Sequence, residues 1–353
     1  MPFSRRRFLR LLSAGAAASA AGQTARADEA MNPPYPRSDH FDGERFFNPN
    51  GHNPRGFRDL LKWQFSRTQG LWPAWVENTA QPALPATLAP RACAVTFVGH
   101  DTFLLQFDGL NVLTDPIWSD RCSPVSWAGP KRVRAPGLAF EALPRIDLVL
   151  VSHNHYDHLD LPTLKRLHAA HRPVLLTPLG NKPFLAGEGI DTAVELDWWQ
   201  SHEVKPGVKV TVTPAQHFAA RGMSDRFMTL WGGFALETLA GKIWFAGDSG
   251  YFDGFKAIGE KLGPFDLALI PIGAYEPRWF MEPVHCTPAE AIQIHRDVRA
   301  RRSLAMHFGC FPLADDGFAQ PVTEFRAAFA ASQLGAEDFV VPEVGETRIL
   351  SFA

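Results

Sequence analysis

Residues 151–160 read VSHNHYDHLD, three histidines and two aspartates in one short segment. They follow directly on Ile146-Asp147-Leu148-Val149-Leu150-Val151, a run apolar enough to be a buried strand. That combination constrains the fold, because a core strand has to end where imidazoles and carboxylates meet. Imidazole nitrogen and carboxylate oxygen are the usual partners of zinc. Alternation lets His153 and His155 point one way off an extended or tightly turned backbone. Asp157 and His158 then fall on the next turn, able to face a neighbouring metal. One segment can therefore feed two metal positions.

From Ala92 onward the chain reads as short β-rich runs, at 94–98, 103–107, 111–114, 148–151, 174–177, 209–213, 233–237, 242–246, 267–271 and 303–307. Asp108-Gly109 is a hairpin turn signal between the second and third runs. Helical patterns occupy 161–171, 255–262, 288–298 and 322–334, with Pro288 in the first turn after Thr287. Hairpins first, then alternating strands and helices, predict an α/β chain of two mixed β-sheets with helices outside. No internal repeat or linker interrupts 92–353, which reads as one domain. Four further predicted strands end at or just before Asp115, His217, Asp248 and His307. Buried strands ending this way bring distant ligands to one rim. Asp115 and Asp160 are also candidates to fix a ligand histidine through its free ring N–H, or simply to form turns and caps.

The order H-x-H-x-D-H, then His, Gly-Asp and His resembles the metallo-β-lactamase superfamily. Within it the chain is most similar to the N-acylphosphatidylethanolamine-hydrolysing phospholipase D family. The motifs behind this are VSHNHYDHLD (151–160), LWGG (230–233), FAGDSGY (245–251), GPFDL (263–267) and IPIGAYEPRWFM (270–281). The resemblance implies an αββα sandwich with the metals at one edge. It implies that His153, His155 and His217 bind one zinc, that Asp157, His158 and His307 bind a second, and that Asp248 bridges them. A carboxylate has two oxygens and can span two cations, so the chemistry agrees. Two zincs roughly 3.5–4 Å apart can hold a hydroxide and polarise a phosphoryl oxygen. Iron or manganese would suit the same donors.

Asp157, Asp248 and His285 are then the expected catalytic residues, and Tyr156, Arg221 and His285 the expected substrate contacts. His285 and Tyr156 match positions that touch substrate phosphate in that family. Ala220 stands where its animal members carry a phosphate-contacting lysine, a departure that leaves neighbouring Arg221 to substitute. His100, His202 and His295 read as structural. The expected activity is cleavage of N-acylphosphatidylethanolamine or a similar phosphodiester. A lactonase or other ester hydrolase of the same superfamily is the alternative, followed by a non-catalytic metal- or lipid-binding envelope protein. A homodimer is implied by the resemblance.

The N-terminus carries Arg5-Arg6-Arg7, an apolar run from Leu11 to Ala21 and Ala25-Arg26-Ala27, the pattern of a twin-arginine signal peptide over 1–27. The apolar run is well short of the ~20 residues a membrane span needs. The expected location is the periplasm, with peripheral membrane contact in view. Cleavage after Ala27 removes five arginines and no acids, taking the formal charge from −2 to −7. That balance argues against a nucleic-acid partner. Cys93, Cys122, Cys286 and Cys310 show no paired spacing and read as packing residues without a bridge. Residues 28–91 read as an N-terminal arm packed on the domain. Its one helical pattern, 57–65, places Phe57, Leu60, Leu61 and Phe65 on one face. The aromatics Phe46, Phe47, Trp72 and Trp75, with Trp198-Trp199, suit either core packing or an apolar approach for lipid.

Overall fold

The computed structural model describes residues 35–352. The segment 1–27, and with it the signal-peptide pattern, lies outside the described residues. Two seven-stranded sheets face each other. The first holds β1 (Ala92–Gly99), β2 (Thr102–Phe107), β3 (Leu110–Thr114), β4 (Leu148–Leu150), β5 (Val174–Pro178) and β6 (Ala193–Leu196), with β14 (Thr347–Ser351) beside β1. The second holds β7 (Ser201–Lys205), β8 (Val208–Thr213), β9 (Gly233–Glu237), β10 (Lys242–Phe245), β11 (Leu267–Pro271), β12 (Ser303–Met306) and β13 (Phe339–Val340). In chain order the helices are α1 (Phe57–Ser66), α2 (Leu161–His171), α3 (Asn181–Gly187), α4 (Gly254–Lys261), α5 (Arg278–Met281), α6 (Pro288–Asp297) and α7 (Gln320–Ala330).

The unbroken apolar runs follow from burial on both sides of each sheet. Leu148 and Leu150 of β4 face the space between the sheets, where they join Phe97, Phe103, Phe107, Phe234, Leu236 and Phe245. Val149 and Val151 face the other way and pack with Leu164 and Leu167 of α2 and Leu185 of α3. α6 lies against β11 with α4 and α7 beside it. The architecture is the αββα sandwich of the metallo-β-lactamase fold. Local signals act as read: Asp108 and Gly109 take φ of 50° and 71°, the mirror-image hairpin turn between β2 and β3. Thr287 caps α6, accepting from Glu290 N while Glu290 accepts from Thr287 N. The strands without a sequence signal sit at sheet edges, where half-exposed β7 and β14 carry polar residues.

Residues 35–91 lie across the sandwich. Phe41 and Phe46 enter the main core, and the His40 ring bonds Asp197. Trp198 and Phe46 are therefore core, whereas Trp75 and Phe57 are exposed. Helix α1 departs from expectation: it buries only Trp63, and its apolar face looks outward.

Strand directions set the functional edge. β1, β3 and β4 run the same way in the first sheet, and β8, β10 and β12 share a direction in the second. Their C-terminal ends open on one edge. At the end of β10 the chain turns through Gly247 at φ 61°, where a Cβ would stand 2.8 Å from the Ser152 Cβ and 2.9 Å from the Gly232 carbonyl. Gly247→Ala should lower unfolding free energy by about 1–3 kcal/mol in urea titration, from left-handed strain and this clash. An unchanged midpoint would show that the turn tolerates a side chain.

Candidate metal centre

Each strand ending on the functional edge delivers one or more polar side chains. β4 leads through Val151 into His153, His155, Asp157 and His158, β8 to His217, β10 to Asp248 and β12 to His307. The backbone is left-handed at His307 (φ 60°), as it is at His100 (57°) after β1 and Asp115 (31°) after β3. Non-glycine residues held there cost energy and collect at functional sites. In this case they aim side chains back into the space between the sheets.

Seven expected ligands converge as two groups around Asp248. In one group His153 Nε2 lies 2.8 Å from His155 Nδ1, and His217 Nε2 lies 3.3 Å from the same atom. In the other, His158 Nε2 is 3.1 Å from Asp157 Oδ2, and His307 Nε2 is 3.5 Å from that oxygen. Asp248 reaches both: Oδ2 is 3.1 Å from His158, 3.7 Å from His217 and 4.0 Å from His153, and Oδ1 is 3.2 Å from His307. Donors around a tetrahedral ion with ~2.0–2.1 Å bonds stand roughly 3.3 Å apart. The spacing suits a cation in each group.

Burial and charge agree with the geometry. Burial pushes the His153 imidazole well below its ordinary pKa, His155 down to about 3 and His217 down to about 4, so these rings are neutral with lone pairs free. Burial is the largest single influence on His158 and His307 and acts to lower both, but the surrounding carboxylates together raise them well above the ordinary value, Asp248 foremost, then Asp157 at His158 and Asp101 at His307. Asp157 and Asp248 stay ionised against burial because His158 faces both. His158 Nε2, Asp248 Oδ1 and both ring nitrogens of His307 are buried without a hydrogen-bond partner. Buried polar atoms are rarely left so. A cation between the two groups would satisfy several at once, so the residues fit a resident metal.

Residues 110–308, more than half of the chain, match the beta-lactamase superfamily domain. The chain is 43% identical over 263 residues to an N-acyl-phosphatidylethanolamine-hydrolyzing phospholipase D of Caenorhabditis elegans, covering 71% of this chain and 74% of that protein. The chain belongs to the beta-lactamase superfamily. Its fold is shared with a metallo hydrolase of Ignicoccus hospitalis (TM-score 0.55, 23% identity, covering 74% of this chain and 100% of that one). It is shared also with a diiron beta-hydroxylase of Streptomyces venezuelae (TM-score 0.55, 19% identity, 75% of this chain and 55% of that one). Like the phospholipase D relative, and like a metal-dependent hydrolase of Methanopyrus kandleri to which it is 30% identical over 259 residues, the chain is a metal-dependent hydrolase.

In this hydrolase the outer ring nitrogens are held from behind, which fixes tautomer and direction. His158 Nδ1 is 2.7 Å from Asp115 Oδ2, His217 Nδ1 donates to the Val284 carbonyl at 2.8 Å, and His153 Nδ1 is 2.9 Å from Ser152 Oγ. Asp115 also accepts from Ser152 N, tying β3 to the motif. Asp160 does something else: it bonds Ser119 and Thr163 at the start of α2. His285 stands 4.0 Å from Asp248 Oδ2 with rings 5.2 Å from both His217 and His307, at the open side of the cluster.

Three positions go beyond the sequence reading. His100, read as structural, places Nε2 3.0 Å from Asp157 Oδ2 and orients that carboxylate. Asp101, unremarked in the sequence, is fully buried with both oxygens unpartnered, 3.6 Å from His158 Nδ1. Only the turn after β1 signals this pair, and a His-Asp step in a turn is ordinary. Arg221, expected to face substrate, donates Nη1 to the carbonyls of Asn154 and Leu159 at 2.7 and 2.8 Å. Its guanidinium also lies 4.1 Å from the Tyr156 ring centre, and the Tyr156 hydroxyl donates to the Arg221 carbonyl. Both groups are thus engaged with each other. His202 and His295 lie outside the cluster, with His295 bonded to Ser303.

Arg221→Ala leaves two carbonyls of the metal-binding segment without their donor. Stability should fall by about 2–3 kcal/mol in denaturant titration, since each orphaned group costs roughly 1–3 kcal/mol. A variant of unchanged stability with only a raised KM would return Arg221 to the substrate.

Proposed function

We propose that the chain is a two-metal phosphodiesterase of the phospholipase D type, acting on N-acylphosphatidylethanolamine. The observation that carries the reading is the pair of donor groups meeting at Asp248, in a chain 43% identical to a phospholipase D named for that substrate. His153, His155 and His217 would hold one ion and Asp157, His158 and His307 the other, with Asp248 between them. Zinc suits these donors, as would iron or manganese. Bound there, two cations would polarise a phosphoryl oxygen and supply a water acidic enough to attack near neutral pH.

The chain's own residues orient this chemistry. Asp115, Ser152 and the Val284 carbonyl hold three imidazoles in fixed tautomers, and His100 holds the Asp157 carboxylate. Strand packing excludes water from below the cluster. His285, held well below its ordinary pKa by burial and so neutral, is placed to donate an N–H hydrogen bond to a phosphoryl oxygen or to the leaving oxygen. Arg221, with the Tyr156 ring against it, holds the metal-binding segment through the Asn154 and Leu159 carbonyls. Water adds to phosphorus, the bond to the ethanolamine oxygen breaks, and that oxygen leaves protonated as N-acylethanolamine, with phosphatidic acid as the other product.

His285→Ala should lower kcat/KM on N-acylphosphatidylethanolamine by roughly a hundredfold, as loss of a positioned hydrogen-bond donor does, with metal content unchanged. Full activity in that variant would remove His285 from the reaction. Wild-type protein that opens lactones and leaves phosphodiesters intact would replace the phospholipase reading with the lactonase one.

Export by the twin-arginine route to the periplasm is part of the same proposal, supported by Arg5-Arg6 and the A-x-A site. Replacing both arginines by lysine should leave the precursor in the cytoplasm on cell fractionation. Continued appearance of the variant in the periplasm would assign another route.

A further inference from the structure

Helix α1 is amphipathic with the wrong side outward. At 100° per residue Phe57, Leu60, Leu61 and Phe65 fall within an arc of about 140°. Trp63, outside that arc, is the residue that enters the protein, stacking on Phe280 at 4.8 Å and donating to Asp315 Oδ2. The apolar arc is left to solvent: Phe57 is 65% exposed, Leu61 41% and Phe65 78%. A soluble helix normally turns such a stripe inward. Trp63 is the one buried side chain of the helix, and Lys62 over Trp279 and the C-terminal Arg67 on Asp315 complete its attachment.

The neighbourhood continues the pattern. Leu71, just beyond the helix, is 93% exposed, and Met223 is 97% exposed. The Met223 loop is tied to the start of α1 by Arg226, which donates to the Arg55 carbonyl at 2.9 Å. Cations border the apolar arc: Arg58 and Lys62 are exposed, and Arg55 donates to the Trp279 carbonyl. The helix's one acid, Asp59, is occupied as a cap on Gly56 N. Apolar residues beside an arginine–lysine border are the chemistry of a helix lying on an anionic lipid surface.

The surface also adjoins the site. Lys62 Nζ sits 4.6 Å from the centre of the Trp279 ring on α5. The last residue of α5, Met281, accepts from the His285 backbone N–H at 2.9 Å, and Arg278 Nη1 donates to the His285 carbonyl. The exposed helix is thus one layer away from the residue at the open side of the metal cluster.

We propose that α1, with Leu71 and Met223, docks on an anionic phospholipid bilayer and sets the mouth of the site against it. The inference rests on the lipid-substrate reading above and names the surface that reading requires. A water-soluble substrate would have no use for it, and a lipid one would enter beside α5.

The test is sedimentation of the metal-loaded protein with vesicles of phosphatidylcholine containing phosphatidylglycerol, neither of which is the proposed substrate. Wild type should co-sediment, more weakly at high salt and with phosphatidylcholine alone. The triple variant Phe57→Ser, Leu61→Ser, Phe65→Ser should bind at least tenfold more weakly, and turn over a water-soluble aryl phosphodiester within twofold of wild type. Wild type that ignores vesicles, or a variant that binds them equally, overturns the proposal. So does a dimer in analytical ultracentrifugation that the variant dissolves in the absence of lipid binding, which would assign the face to a second copy. Vesicle binding without cleavage of N-acylphosphatidylethanolamine would overturn the proposed substrate and leave the docking surface standing.

Discussion

The structure depends on bringing ring nitrogens and ionised carboxylates within 2.8–3.2 Å of each other in a largely buried space between two sheets. Such a cluster is costly to bury, because each group gives up water and several gain no partner in return. Two features make it tolerable. The sandwich supplies a core large enough to hold strained strand ends in place, and the donor set matches what a cation would satisfy. Stability and function would be coupled at this point, because a metal held here would contribute folding free energy as well as reactivity.

The fold serves the cluster by division of labour. Inner residues of β4, β8, β10 and β12 build the core, and the residues just past their ends build the site. Left-handed turns at His100, Asp115 and His307, and the glycine before Asp248, reverse the chain so that side chains point back between the sheets. Behind them, Asp115, Ser152 and Val284 fix the ring directions. Arg221 stiffens the 153–158 segment by holding its carbonyls. A one-residue shift in any of these strands would move its ligand to the other face.

Much of this was legible because strand and ligand are adjacent in the chain. An apolar run followed by His or Asp marked β3, β4, β10 and β12, and the spacing within 153–158 marked both donor groups. What escaped had no local signal. Asp101 and His100 sit in a turn whose composition is unremarkable, and only the meeting of that turn with the end of β12, where His307 N donates to the His100 carbonyl, brings them to the donor groups. Arg221 read as a substrate contact because its targets, two backbone carbonyls, are invisible in sequence. The periodicity of 57–65 gave a helix and an apolar face but not its direction, since one tryptophan, Trp63, decides which side is buried. Edge strands β7 and β14 pair through the backbone and through hydroxyls, Ser201 with Thr211 and Thr347 with Thr96, and lack an apolar pattern.

The central claim is that one carboxylate, Asp248, joins two cation positions in a single site. Anomalous X-ray scattering at the metal edge, on crystals of the purified protein with its metal content measured, tests it most directly. Two peaks per chain are expected, one among His153, His155 and His217 and one among Asp157, His158 and His307, with Asp248 in contact with both. A single fully occupied peak in active protein, or two that leave Asp248 uncoordinated, would contradict the account.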